Sequence, residues 1–316
     1  MLTIATFNLC NLGANASPSR LKRLATIIAH DLTGPAILAL QEIAVARPTT
    51  PGEPVPADAA YQALITAIIG VGGPAYDYRE IPPLANQEGG MSGANIRVGL
   101  LFDPARAHFS DRGAAGPLDS AGIHFSAGGP RLTLNPGRIT PLHPAFTGEG
   151  NLHWTPSRKA LAAEFEVNGH RLFVIVCHLK SMRSMTRQGE EHTKKQRHAQ
   201  AEAIHQFAAD LLTCDRQAAI AILGDFNDVP GSKTLKLLKG AGFHNLLEDQ
   251  PRGQCYTRRH GSQPQALDHI LISPALRRGA TAHIPHVNSN APPGQSELAS
   301  DHDPVLALLP AFTVTA

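Results

Sequence analysis

The sequence predicts a mixed α/β protein, and three observations predict it. Short apolar runs of strand length are interspersed with amphipathic helical stretches. Several of those runs are joined by hairpin signals, so the sheets are mixed and not purely parallel. The composition is globular, with 42% hydrophobic and 17% charged residues over 316 positions, and only 5% aromatic, so Leu, Ile, Val and Ala must fill the core.

Each element has its own signal. Residues 2–9 read as a strand ending in Asn8. Ser17-Pro18 marks a helix start, Ser as N-cap and Pro in the first turn, with Leu21, Leu24, Ile27 and Ile28 following at helical spacing. Residues 37–40 form a buried-type strand that runs into Gln41-Glu42. A Pro-rich loop at 47–57 precedes a second helix carrying Tyr61, Leu64, Ile65, Ile68 and Ile69. Residues 96–102 form the next strand and include Arg97. From 103 to 156 periodicity is poor and Gly and Pro abound, which reads as an extended insertion with short strands and the expected place of substrate selection. Strands at 159–167 and 171–177 are joined by Asn168-Gly169, a strong hairpin signal, and the second delivers His178. Residues 195–212 form a helix, 218–223 a buried strand delivering Asp225, and Ser232 opens a short helix through Leu238. The last strands are 267–272, with Asp268 at its start, and 305–309, just after Asp301-His302.

Bulk properties exclude little. The net charge of +2 is too weak to imply nucleic-acid binding by itself. Between His178 and His198 lie Lys180, Arg183, Arg187, Lys194, Lys195 and Arg197 against Glu190 and Glu191, and Arg258-Arg259-His260 is a second basic cluster. Each run reads either as a solvated face or as a phosphate grip. The low aromatic content argues against stacking as the main hold on single strands. Cys10, Cys177, Cys214 and Cys255 show neither a CxxC pair nor zinc-like spacing, and Cys10 and Cys177 read as packed thiols. A reducing compartment fits. No leader-like segment opens the sequence and no apolar run is long enough to span a bilayer, so the expected setting is cytoplasmic, with no membrane span and no obligate protein partner inferred.

The chemistry concentrates in Gly224-Asp225-Phe226-Asn227-Asp228 and Ser300-Asp301-His302-Asp303-Pro304, each where an apolar strand meets a loop. Cleaving a phosphodiester requires screening of the anionic ester, a water aimed in line, and stabilisation of charge on the phosphoryl and leaving oxygens. A hard divalent cation on oxygen ligands supplies the first and third. Glu42, at the end of an apolar strand, is the best metal ligand, or else an exposed loop carboxylate. Asp225 and Asn227, two positions apart, point the same way in extended backbone, which suits one aiming water and the other holding a phosphate oxygen. The alternative is an Asp/Asn turn. His302 can donate to a phosphoryl oxygen with Asp268 fixing its tautomer, and Asp301 can ligate metal or orient water. His178 reads as a functional histidine or a satisfied strand-end one, Asn8 similarly, and Arg97 as a phosphate contact or an ordinary strand arginine. His192, His198 and His205 read as helix-surface residues.

These residues resemble a known family. Thr6-Phe7-Asn8-Leu9, Leu40-Gln41-Glu42-Ile43, His178-Leu179-Lys180-Ser181, the Gly224 and Ser300 motifs, and Leu267-Asp268-His269-Ile270-Leu271 look like the ordered motifs of the endonuclease/exonuclease/phosphatase superfamily, in the bacterial branch that includes nucleases. The resemblance runs from residue 3 to about 309 and implies one domain over 1–316. It implies a four-layer α/β sandwich of the DNase I-like kind, two packed mixed sheets flanked by helices, with one active site at the sheet edges and Mg²⁺ or Mn²⁺ as cofactor. By resemblance Asn8, Glu42 and Asp301 are the metal set. His178, Asp225, Asn227, Asp268 and His302 are catalytic. Asn227, Arg97, Arg158 and Lys180 are the expected substrate contacts. The implied activity is metal-dependent hydrolysis of DNA or RNA. A small-molecule or lipid phosphoester is the alternative, and a non-catalytic binding module on the same scaffold a third.

Overall fold

The computed structural model describes residues 1–45, 49–89, 93–126, 128–139, 146, 153–290 and 298–313. The chain begins with β1 (Leu2–Leu12), α1 (Pro18–Thr26), β2 (Ile37–Ile43), α2 (Asp58–Gly70), β3 (Asp77–Glu80) and β4 (Arg97–Phe102). Four short strands follow, β5 (His108–Phe109), β6 (Ile123–Ser126), β7 (Gly129–Leu132) and β8 (Gly137–Arg138). Next come β9 (Leu161–Val167), β10 (His170–His178), α3 (Arg187–Cys214), β11 (Ala219–Asp225), α4 (Lys233–Lys239) and β12 (His244–Asn245). The hairpin β13 (Arg258–His260) and β14 (Gln263–Gln265) precedes β15 (Asp268–Ile272), β16 (Thr281–His283) and β17 (Val305–Leu309).

Two mixed sheets result. The first has the order β16-β17-β1-β2-β4-β3, and the second β12-β15-β11-β10-β9-β5, with β8 also on β9. Each sheet has one parallel pair at its centre, β1 with β2 and β10 with β11, while the other pairings are antiparallel. Parallel neighbours end at the same edge, so both centres deliver their C-terminal residues to one side of the molecule.

Strand alternation explains the four layers. Ile4, Ala39, Val174, Val176, Ala221 and Leu223 point between the sheets and join one core. Their neighbours Ala5, Leu38 and Leu40 point outward onto α1 and α2, with Leu24, Tyr61 and Leu64. Phe173, Ile175 and Ile222 point outward from the second sheet onto α3 and α4, with Ile204, Ala208 and Leu235. Burial on both faces is why these strands read as continuous apolar runs and not as alternating ones.

Local signals hold in detail. Ser17 Oγ accepts from the Arg20 N–H, and Ser232 Oγ from that of Leu235, as N-caps should. Asn168 and Gly169 both take positive φ, 50° and 77°, the geometry of a two-residue hairpin turn. α3 begins eight residues earlier than residue 195, because Thr186 Oγ1 caps the Gly189 N–H ahead of a polar first turn that carries no apolar period. Part of the 103–156 stretch is built into the second sheet through β5 and β8. Its positions 127, 140–145 and 147–152, and 47–48 of the Pro-rich loop, lie outside the described residues.

Candidate active site

Both sheets end at one cleft of about 460 Å³. Glu42 and Cys10 line it from the first sheet. His178, Lys180, Asp225 and Asn227 line it from the second, and Arg158, Arg183, Arg258, Asp301 and His302 come from the loops and the β13 hairpin.

Backbone irregularities aim the side chains. The β2 register slips between Gln41 and Ile43, and Glu42 between them has φ 59°. A bulge of this kind turns one side chain out of the alternation, here a carboxylate. The register of β1 also breaks after Asn8, where Cys10 and Asn11 take φ 48° and 56°. The Asn11 N–H then reaches Glu42 Oε2 at 3.0 Å. In the second sheet His178 and Asp225 are register partners across the parallel pair. Gly224, with φ 143°, lets β11 come close there, since a Cβ would lie 1.9 Å from the Cys177 carbonyl oxygen.

Asn8 links the two halves. Its Nδ2 donates to Asp225 Oδ2 at 3.0 Å and to Glu42 Oε1 at 3.3 Å, while its Oδ1 accepts from the Cys10 N–H at 3.0 Å. Asn8 is thus a bridge between two carboxylates, and its oxygen keeps a second lone pair beside the Cys10 bond. Ser300 Oγ donates to the Asn8 carbonyl at 2.6 Å and ties in the last loop.

Asp225 is buried, and burial raises its pKa; His302 and the Asn227 N–H at 2.8 Å oppose this, Asp268 and Glu42 add to it, and the carboxyl stands at about 7. His178 Nε2 lies 3.4 Å from Asp225 Oδ2 and 3.9 Å from Glu42 Oε1. Burial, with Arg158 and His302 nearby, holds His178 well below the ordinary histidine range, so it is neutral and these contacts are not ion pairs. His302 is the opposite case. Burial works against its charge, yet Asp268, Asp225 and Asp301 raise it to about 10. Its Nδ1 lies 2.7 Å from Asp268 Oδ2, which also accepts from Thr257 Oγ1 at 2.6 Å. The imidazolium therefore keeps its Nε2–H for the cleft it lines.

Asn227 follows the end of β11 with φ 50°, so it shares the cleft with Asp225 through a left-handed turn and not through strand alternation. Its Nδ2 donates to the Leu179 carbonyl at 3.1 Å. Arg158 donates to the same carbonyl at 2.6 Å, and Lys180 Nζ to the Pro156 carbonyl at 3.1 Å. Burial and Arg158 pull Lys180 down to about 8.

Arg97 does not join these residues. It is buried in β4, paired with Glu80 at 3.1 Å, and donates to the carbonyls of Val55 and Asn95. An arginine buried among these acceptors holds loops together, and it does not line the cleft. Cys10, expected as a packed thiol, instead lines the cleft half-buried. Two residues, Arg258 in the cleft and Thr257 buried behind Asp268, escape sequence reasoning. Thr257 gives no signal, and Arg258 is visible only as part of a basic run. Arg258 Nη2 donates to Asp301 Oδ2 at 2.6 Å.

The donor set fits a hard divalent cation. Asp225, Asp268 and His302 bring ligand atoms within 4.8 Å of one another, and Asp268 Oδ1 is buried with no partner among the described residues. His302 Nδ1 is committed to Asp268, however, so the oxygens open to a cation are those of Glu42 and Asp301, whose side chains are 20% and 41% exposed. Carboxylates crowded as Asp268 and Glu42 are around Asp225 call for positive charge.

Comparison with known proteins agrees. Residues 5–302 match the model of the Endonuclease/Exonuclease/phosphatase family. The human Endonuclease/exonuclease/phosphatase family domain-containing protein 1 is 31% identical over 154 residues, 45% of this chain and 26% of that protein. Its Bos taurus counterpart is 31% identical over 170 residues, 50% of this chain and 28% of that one. The chain thus spans about a quarter of the length of the curated relatives it matches. A humanized D. rerio TDP2 superposes with a TM-score of 0.59 at 17% identity, covering 97% of each chain. A mannosyl-6-phosphatase of Bacteroides thetaiotaomicron gives 0.55 at 14%, covering 98% of this chain and 99% of that one. With its motifs gathered at one cleft and the family match spanning nearly its whole length, the chain belongs to the Endonuclease/Exonuclease/phosphatase family of phosphoester hydrolases.

Proposed function

We propose that this protein is a divalent-cation-dependent phosphodiesterase acting on nucleic acid, DNA or RNA, with residues 1–316 working as one domain. The observation that carries the reading is the pairing of a buried carboxyl near neutrality, Asp225, with a charged imidazole, His302, in the same cleft. A group near 7 is suited to take the proton of an attacking water, and a fixed imidazolium to meet negative charge on a phosphoryl oxygen. Asp268 keeps His302 charged and oriented. Asn227, neutral His178, Lys180 and Arg158 hold the ester. Glu42 and Asp301 would hold Mg²⁺ or Mn²⁺, with Asn8 positioning Glu42. When bound, the cation would screen the ester and stabilise charge on the departing oxygen. Four unpaired cysteines support a reducing, cytoplasmic setting. Among the described residues no helix is long and apolar enough to cross a membrane.

For the polymer itself, the basic residues Lys180, Arg183 and Arg258 at the cleft support an anionic substrate larger than one phosphate. A D. rerio TDP2 of the same fold is complexed with a single strand DNA product, at a TM-score of 0.56. A second reading, a small-molecule phosphoester, is favoured by the net charge of +2. The test is cleavage of labelled single- and double-stranded DNA and RNA with Mg²⁺, with Mn²⁺ and with EDTA, beside an Asp225→Ala control. Cation-dependent cleavage lost in the control is the expected result. No cleavage of any polymer, with turnover of a sugar phosphate or phosphoinositide, would replace the first reading with the second.

A further inference from the structure

We propose that Arg258 is a phosphate-binding residue held in reserve by Asp301, released toward the substrate when a divalent cation takes the Asp301 carboxylate. The inference rests on the metal-dependent phosphoesterase reading given above and adds to it a residue and a coupling.

Arg258 lines the cleft together with Glu42, Asp225 and His302. Its Nη2 donates to Asp301 Oδ2 at 2.6 Å, while its Nε is buried and has no partner among the described residues. The guanidinium is therefore only partly satisfied. Its neighbour Arg259 is not in that position, since it sits over the Tyr256 ring and donates to the Ser289 carbonyl and Asn290 Oδ1. The backbone beside Arg258 is fixed. Thr257 donates from its N–H to the Gln265 carbonyl at 2.9 Å and accepts at its own carbonyl from the Asp303 N–H at 2.6 Å. Arg258 also bridges to His302. Reorientation thus falls to the side chain alone, anchored beside the very loop that carries Asp301 and His302.

One carboxylate cannot satisfy a guanidinium and a divalent cation equally, because the two positive charges repel at such range. The pair is only moderately buried, at 19% and 41% side-chain exposure, so its strength is modest and a cation can displace it. A freed guanidinium, with a planar fork and an unsatisfied Nε–H, matches two oxygens of a phosphate. Cation and phosphate should then bind with positive coupling, each tightening the other by the same factor.

Calorimetry with MnCl₂ alone, inorganic phosphate alone, and phosphate at saturating Mn²⁺ tests this on wild type, Arg258→Met, Arg258→Lys and Asp301→Asn. Arg258→Met should bind Mn²⁺ about two- to fivefold tighter, since its competitor is gone. It should bind phosphate in the presence of Mn²⁺ about tenfold weaker or worse, with the coupling lost and partly rescued by Arg258→Lys. Asp301→Asn should bind phosphate without Mn²⁺ more tightly than metal-free wild type, which covers the case in which Arg258→Met does not fold. Unchanged or weaker Mn²⁺ binding by Arg258→Met, or no gain in phosphate affinity by Asp301→Asn, would make Arg258 a structural pin and overturn the proposal. Wild type that binds neither Mn²⁺ nor phosphate would instead sink the phosphoesterase reading beneath it.

Discussion

Replacing Asp268 by Asn removes a charge while keeping shape. Asp268 is fully buried, accepts from Thr257 Oγ1, and sits 2.7 Å from His302 Nδ1. The imidazole stands at about 10 against an ordinary 6.5, which corresponds to roughly 5 kcal/mol of net preference for the charged form. Burial works the other way, and without the Asp268 charge only Asp225 and Asp301 still oppose it, so His302 should lose its proton at a lower pH than in the wild type. The sign follows for stability too. A histidine raised on folding contributes stability that is complete below its unfolded value near 6.5 and is lost as pH rises through about 10. Asp268→Asn should remove that contribution. The assay is kcat/KM on an aryl phosphodiester from pH 5 to pH 9, taken as the ratio of variant to wild type. The ratio should fall to about 10⁻² or 10⁻³ above neutrality, the size of losing one preorganised donor, and recover toward acid pH as the variant's His302 regains its proton. A ratio near one, or a deficit independent of pH, would refute the role given to the imidazolium.

Three further outcomes are expected. Arg97→Met should cost about 3–5 kcal/mol of stability by stranding buried Glu80, read by denaturant unfolding, while KM of the remaining folded enzyme stays at the wild-type value. Gly224→Ala should lower stability by roughly 3 kcal/mol, since the new Cβ meets the Cys177 carbonyl oxygen at a φ of 143°; an unchanged melting temperature would contradict the close approach of β10 and β11. Lys180 should make KM rise as pH passes about 8, where its charge is lost, and Lys180→Met should show a high KM with no such rise. Because this lysine is lowered on folding, its charge weakens the fold below about 8, and that penalty fades as pH climbs toward 10.5.

The sequence disclosed the chemistry better than its supports. Glu42, His178, Asp225 and His302 were legible as cleft residues because each is a polar residue where an apolar strand meets a loop, and burial there demands a reason. The pairing of Asp268 with His302 was legible for the same cause. Arg97 was misread because its partner Glu80 lies 17 residues away on a neighbouring strand, and only tertiary structure brings them together. Asn8 was legible as a site residue but not as a bridge, since which of its amide atoms is free depends on the Cys10 turn. β5 and β8 are two residues long, too short for alternation to register, so a sheet edge looked like an insertion. Thr257 had no signal, being an ordinary residue made useful by its contact with Asp268.

The first sheet joins strands from residues 2–102 to strands from residues 281–309, while the second is drawn wholly from 108–272. As the chain leaves the ribosome, the second sheet has all its strands while the first still waits for β16 and β17. Asn8 and Glu42 emerge early, but Asp301 and His302 come after nearly everything else. Local pairings close before distant ones, so within residues 1–316 the cleft is completed late, when β17 and the loop carrying Asp301 and His302 return to the first sheet. A chain cut between residues 273 and 301 keeps every strand of the second sheet but lacks His302 and the β17 strand that follows it.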